Sequence, residues 1–103
     1  MTPVVVLTTV GATFDPAPLA THLVEMRLAA CVNIISPIHS VYRWQGKIEN
    51  DSEQILLIKT VEERLDELKT ALFSKHPYEV PEFVVIRIDQ LSDGYRSWLL
   101  SSV

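Results

Sequence analysis

The sequence predicts an α+β fold: a ferredoxin-like β-α-β-β-α-β sandwich with an extended hairpin between its second and third strands and a further helix at the C-terminus. Three observations predict it. Val4–Leu7 and Ile55–Ile58 are apolar at every position, as strands buried on both faces are. Two segments repeat apolar residues at helical spacing, one after each of these runs. Two long extended arms meet at Gln45-Gly46, where Gly46 supplies the positive φ that a tight turn needs. The 103 residues suit one domain with one core, so a single ferredoxin-like domain is expected over 1–103.

Val4-Val5-Val6-Leu7 is the first strand, and Thr8–Thr13 reads as the loop after it. Asp15 reads as an N-cap with Pro16 at the first helical position, and Pro18 still falls in the first turn. Leu19, Leu23, Met26 and Ala30 then mark a helix of about 15–30. The second strand runs from Val32 to Trp44, with Pro37 removing a donor, so it is expected at an edge or bulged there. The third runs from Lys47 to Ile58. Thr60 and Glu63 have capping-box spacing, and Val61, Leu65, Leu68 and Leu72 mark a helix running to Lys75. His76-Pro77 stops it, because a residue before proline avoids the α region. Phe83–Ile86 is the fourth strand, and Ser92 or Asp93 caps a short helix carrying Tyr95, Trp98 and Leu99. In this topology the first and third strands are central and both long helices cover one face.

The hairpin is long for its domain. An arm of about thirteen residues spans roughly 43 Å at ~3.3 Å per residue. A globule of this chain length has a radius of gyration near 13 Å, hence a diameter of roughly 33 Å. The base of the hairpin is apolar, while its tip carries His39, Ser40, Tyr42, Arg43 and Trp44 against Lys47, Glu49, Asn50, Asp51 and Glu53. A ribbon that outruns its domain needs cover, and another copy of the chain is the simplest source.

Nine basic and thirteen acidic residues give a formal net charge of −4, which argues against a nucleic acid or an anionic membrane as partner. No apolar run approaches the ~20 residues of a membrane span. The start lacks a basic n-region and a long apolar stretch, and Cys31 is the single cysteine, so a cytoplasmic protein without an internal disulfide is expected.

Cys31 lies where a helix ends and a strand begins, so it reads as a small buried packing residue and not as a nucleophile or a metal ligand. His22 reads as a helix-surface residue. His76, Tyr78, Glu79 and Glu82 gather an imidazole, a phenol and two carboxylates in a stretch stiffened by Pro77 and Pro81. Imidazole and carboxylate suit copper(II), zinc or nickel, and copper(II) heads the affinity order. The expected site is weak: His76 with Glu79 or Glu82, but not both, because an extended chain turns neighbouring side chains to opposite sides. Thr8–Thr13 could cradle a phosphate, as acylphosphatases on this fold do, but it contains no Arg or Lys. No catalytic triad, P-loop or dinucleotide fingerprint is present, and no enzyme activity is expected.

Four stretches carry a family resemblance: Leu28–Asn33, Tyr42–Lys47, Ile58-Lys59-Thr60 and His76–Glu82. Together they resemble the divalent-cation tolerance protein family, CutA, across almost the whole chain. The resemblance implies a ferredoxin-like subunit, a tight homotrimer, a cytoplasmic location and a link to copper and other divalent metals. It also implies a fold similar to that of the trimeric PII signalling proteins. That similarity suggests an alternative, a sensor binding a small anion or metabolite in clefts between subunits, lined by Trp44, Lys47, Lys59, Tyr78 and Glu82. Some members carry cysteine where this chain has Thr8, so a soft ligand for copper(I) is missing at that point.

Overall fold

The computed structural model describes all residues, 1–103. Its elements are β1 (Pro3–Gly11), α1 (Ala17–Glu25), β2 (Cys31–Trp44), β3 (Lys47–Val61), α2 (Leu65–Lys75), β4 (Val84–Arg87) and α3 (Asp93–Ser101). A single 3-10 turn, Glu62–Arg64, links β3 to α2. One four-stranded antiparallel sheet has the order β2-β3-β1-β4, so the two uniformly apolar strands are central, as expected. No helix is long and apolar enough to cross a membrane.

Alternation along β1 and β3 decides where the core sits. Val4, Val6 and Val10 of β1 and Leu56 and Ile58 of β3 point to one face and are buried. They pack with Leu19 and Leu23 of α1 and with Leu68 and Leu72 of α2 in one cluster, which puts both long helices on that face. Burying each such leucine contributes about 1.5–3 kcal/mol relative to leaving it exposed. The other face carries Val5, Leu7, Ile55 and Leu57 at its centre, and no helix covers them. Only its base end is closed, where Leu99 of α3 packs with Val61 and Ala30. On this face of β2 and β4, Ile35, Val84 and Ile86 are between 44% and 49% exposed.

The hairpin extends as expected. The molecule measures 44 × 26 × 23 Å, and its radius of gyration is 14.3 Å. Gln45 (φ 49°) and Gly46 (φ 79°) form the two-residue turn with both φ angles positive, which matches the twist of the flanking strands. The register of β2 on β3 shifts between Ile35 and Ile38, across Pro37, so the expected bulge is present on an edge strand.

Several local expectations are corrected. The residues Thr8 to Gly11 are strand, not loop, because β3 continues past its apolar run and pairs them out to Gly11↔Glu53. Their place in the ladder also removes the phosphate-cradle reading. The helix expected to reach Ala30 stops at Glu25. Arg27 takes a left-handed conformation (φ 57°), the Leu28 amide donates to the Leu23 carbonyl and the Arg27 amide to that of Val24. This is a Schellman closure with arginine where glycine is usual, so composition did not announce it. Met26 is consequently exposed. The Thr60–Glu63 capping box does not form: Thr60 lies inside β3 and its hydroxyl donates to the Leu28 carbonyl (2.7 Å), while the Glu63 carboxylate accepts the Thr2 amide. Cys31 is partly exposed at the start of β2, its Sγ 3.6 Å from Asn33 Oδ1, and is not the buried packing residue expected. At the helix start Pro16 takes the capping position and Ala17 is the first helical residue, one residue later than expected, while Asp15 Oδ1 still accepts the Ala17 amide (3.1 Å).

Thr60 ties the α1–β2 connection to the central strand from a fully buried position. Thr60→Val keeps the shape and removes the donor, leaving the Leu28 carbonyl unpaired. The expected cost is about 1–3 kcal/mol, read as a lower urea midpoint with an unchanged slope.

Candidate functional site

The chain from His76 to Phe83 cannot continue α2, because Pro77 and Pro81 interrupt it, and β4 begins only at Val84. Beyond Leu7, the edge of β1 has no β4 partner. Residues 77–80 bend across this gap, and between them and the hairpin tip lies a cavity of about 790 Å³. Its walls are Tyr42, Trp44 and Val41 from β2, Glu53 from β3 and Pro77–Glu82 from the bent segment.

His76 fastens this segment to β1. Its Nε2 lies 2.9 Å from the Thr9 carbonyl oxygen and 3.1 Å from Thr8 Oγ1, while the Tyr78 amide donates to Nδ1 at 3.0 Å. A carbonyl only accepts and an amide N–H only donates, so the neutral ring carries its proton on Nε2. Burial holds the His76 pKa below the usual imidazole value, opposed by the hydrogen bond to Thr9 and by the charge of Glu53.

Glu53 is 6% exposed, and its Oε2 accepts the Tyr78 hydroxyl at 2.6 Å. Burial, and then that bond, push the Tyr78 phenol well above its usual value. Tyr42 donates to Asp51 on the facing strand, and this bond raises its pKa to about 12. Loss of water around the Glu82 carboxyl, and then repulsion from Glu53, raise the Glu82 pKa. The charged residues of the cavity wall are Glu53, Glu79 and Glu82, with no Lys or Arg among them.

The expected residues separate into two groups. Trp44, Tyr78 and Glu82 meet at the cavity, as does Glu79. Glu79 and Glu82 were expected to face apart, but the segment bends instead of extending, so both border it. The expected lysines are not there. Lys47 lies across the strands from Trp44 at the tip, outside the wall. Lys59 pairs with Cys31 at the base and stacks over the Tyr95 ring (5.6 Å to the centroid). Six residues separate it from Glu53, about 20 Å along a strand at ~3.3 Å per residue. His76 has both ring nitrogens in use, so a metal there must displace Thr9 or Tyr78. Nowhere do three His, Cys, Asp or Glu side chains of this chain converge to hold a metal. Glu53 and Tyr42, which the sequence marks only as hairpin-tip residues, also line the cavity. Glu53 stands in a run of polar residues, and only the strand register sets it opposite Gly11 and beneath Tyr78.

The profile of the family described as CutA1 divalent ion tolerance protein matches residues 4–102. A divalent-cation tolerance protein CutA from Thermus thermophilus is 44% identical over 95 residues, 92% of each chain. The chloroplastic protein CutA of Arabidopsis thaliana is 45% identical over 84 residues, and this chain spans 46% of its length. Among solved structures, CutA1 of Thermus thermophilus superposes with a TM-score of 0.93 at 42% identity, covering 98% of both chains. CutA from Synechococcus elongatus superposes with a TM-score of 0.91 at 46% identity, covering 98% of this chain and 89% of that one.

The geometry of His76 sets the sign of a pH effect. Its folded-state pKa is depressed, so protonation favours the unfolded chain. The stability it contributes is present above about pH 6.5 and is lost as pH falls through the lower folded-state value. The melting temperature is expected to drop between pH 7.5 and 5, and to drop less in His76→Gln, measured by calorimetry in matched ionic strength.

Proposed function

The chain belongs to the CutA1 divalent ion tolerance family, and from that premise we propose that it is a cation-binding homotrimer that acts by binding and not by catalysis. One observation carries the reading. The wall of the cavity beside the hairpin tip holds three carboxylates and no basic residue, and one of the three, Glu53, is almost fully buried. A buried carboxylate without a compensating charge favours a cation as ligand. The same observation weighs against the alternative of an anion sensor, since Lys47 and Lys59 lie outside the wall.

Glu53 and Glu82 are the proposed metal donors, with Glu79 at the rim. Two carboxylates leave coordination positions for water or for a neighbouring subunit. Copper(II) is expected ahead of zinc, following the general affinity order. His76 is proposed as the fastening of the bent segment and not as a ligand, because both its nitrogens are in use.

Association is supported by the open sheet face, where Ile35, Val84 and Ile86 are 44–49% exposed around Leu7, Ile55 and Leu57. The hairpin tip, which projects beyond the rest of the domain, adds surface for the same contact. The count of three follows from the family resemblance. A cytoplasmic location completes the proposal, supported by a single unpaired cysteine.

Sedimentation equilibrium at micromolar concentration is expected to return about three times the 11.7 kDa chain mass, and Ile35→Lys to shift the distribution towards monomer. An 11.7 kDa particle for the unaltered chain would refute the assembly. In calorimetric titration with copper(II) at pH 7.5, Glu82→Gln is expected to bind about tenfold or more weakly and His76→Gln to stay within about twofold. The reverse order would restore His76 as the ligand.

A further inference from the structure

The cavity is larger and more aromatic than a bare metal ion requires. At about 790 Å³ it falls in the range of small-molecule sites. Its polar end is Glu53, 6% exposed, to which the neutral Tyr78 hydroxyl is the only hydrogen-bond donor from a side chain. The two ion pairs of the chain, Arg64–Glu67 and Arg87–Glu62, lie elsewhere. Its other walls are the rings of Tyr42, Trp44 and Tyr78 together with Val41, Val80 and Pro81.

Two of these rings are held in place. The Tyr42 hydroxyl is tied to Asp51, and Tyr78 is tied to Glu53 and packs against His76 with ring centroids 5.0 Å apart. The Trp44 ring, 42% exposed, takes part in no aromatic pair and has no cation of this chain over it. Ring faces attract cations, and the attraction strengthens where water is excluded. A buried carboxylate, two fixed phenol rings and a free indole face around one cavity are together selective for positive charge carried on an apolar body.

We propose that this cavity binds a small organic ammonium ion, its charged nitrogen directed to Glu53 and Glu82 and its alkyl part against Trp44 and Val80. The inference rests on the reading of the cavity as a cation site and extends it to a second chemical class. A primary ammonium has three donors, which two carboxylates and a phenol oxygen can accept. A metal ion there would draw further ligands from water or a neighbouring subunit, whereas an ammonium ion finds its acceptors within this chain. The anionic metabolite class is disfavoured by the same wall.

The test is a nuclear magnetic resonance titration that follows the indole N–H signals of Trp44 and Trp98, the latter lying away from the cavity and serving as internal control. The probes are n-butylammonium and an uncharged, slightly longer alcohol, n-pentanol, at constant ionic strength and pH 7.5. Butylammonium is expected to move the Trp44 signal saturably and leave Trp98 in place, while pentanol moves neither. Glu53→Gln keeps an acceptor for Tyr78 and is expected to weaken binding about tenfold. Glu82→Gln, on the more exposed side, gives a second reading of the charge dependence if Glu53→Gln perturbs folding. Equal shifts from the two probes, no saturable shift, or unchanged affinity in the charge-removing variants would overturn the proposal. Copper(II) is titrated separately into the same samples. Metal binding without ammonium binding overturns this inference alone, and ammonium binding without metal binding overturns the metal reading alone.

Discussion

The pairing of β1 with β3 is the constraint on which the rest of the molecule depends. Nine consecutive residue pairs, from Pro3↔Val61 to Gly11↔Glu53, set which side chains share a face. A slip of β3 by one residue against β1 would turn Leu56 and Ile58 away from the helices and replace them with Ile55 and Leu57. Both sets are apolar, so hydrophobicity alone does not choose between the two registers. The choice is reinforced by polar groups with fixed partners. Thr60 reaches the Leu28 carbonyl only from the helix face, and the Gln54 amide bridges the carbonyls of Gly11 and Phe14 at 3.0 and 2.7 Å. Buried polar groups that must be satisfied specify a register more strictly than aliphatic side chains that pack in many ways.

The same ladder generates the candidate site. Because β1 continues to Gly11 while β4 pairs only as far as Leu7, an edge of β1 is left for another segment to cover. The stretch after α2 covers it through His76 and bends because of its two prolines. Because β3 outruns β1 beyond Gly11, at that same end, the hairpin tip projects beside the bend. The cavity is therefore a consequence of unequal strand lengths, and its wall comes from three separate parts of the chain. Its negative charge has the same origin: Glu53 sits at the last rung of the β1–β3 ladder, where the sheet is still dense enough to bury it.

The uncovered face of the sheet and the cavity belong to one surface. On β3, Glu53, Ile55 and Leu57 alternate on the same side, and on β2, Ile38, Ser40 and Tyr42 lie across from Glu53, Asp51 and Glu49. An association that buries Ile35, Ile55 and Leu57 would consequently bring a second copy close to the cavity mouth. Assembly and ligand binding would then be linked through a shared surface, without any change of fold.

The sequence by itself determined the class and order of the elements, the central position of β1 and β3, the edge position and bulge of β2, the tight turn at Gln45-Gly46 and the overlong hairpin. These are local matters: an apolar run, a proline or a glycine states its preference within a few residues. It also singled out Trp44, Tyr78, Glu79 and Glu82, which the fold brings to one cavity. Tertiary structure decided the rest. It ended α1 five residues early, through a left-handed Arg27 whose hydrogen bonds close on Leu23 and Val24. It drew Thr60 out of a helix cap and into the core, and committed His76 to Thr9 and Tyr78. It left Lys59 at one end of β3 while placing Glu53 at the other, beneath Tyr78. Each outcome depends on pairings between residues far apart in the chain, and a residue's spacing from its neighbours carries no record of what stands opposite it across a sheet.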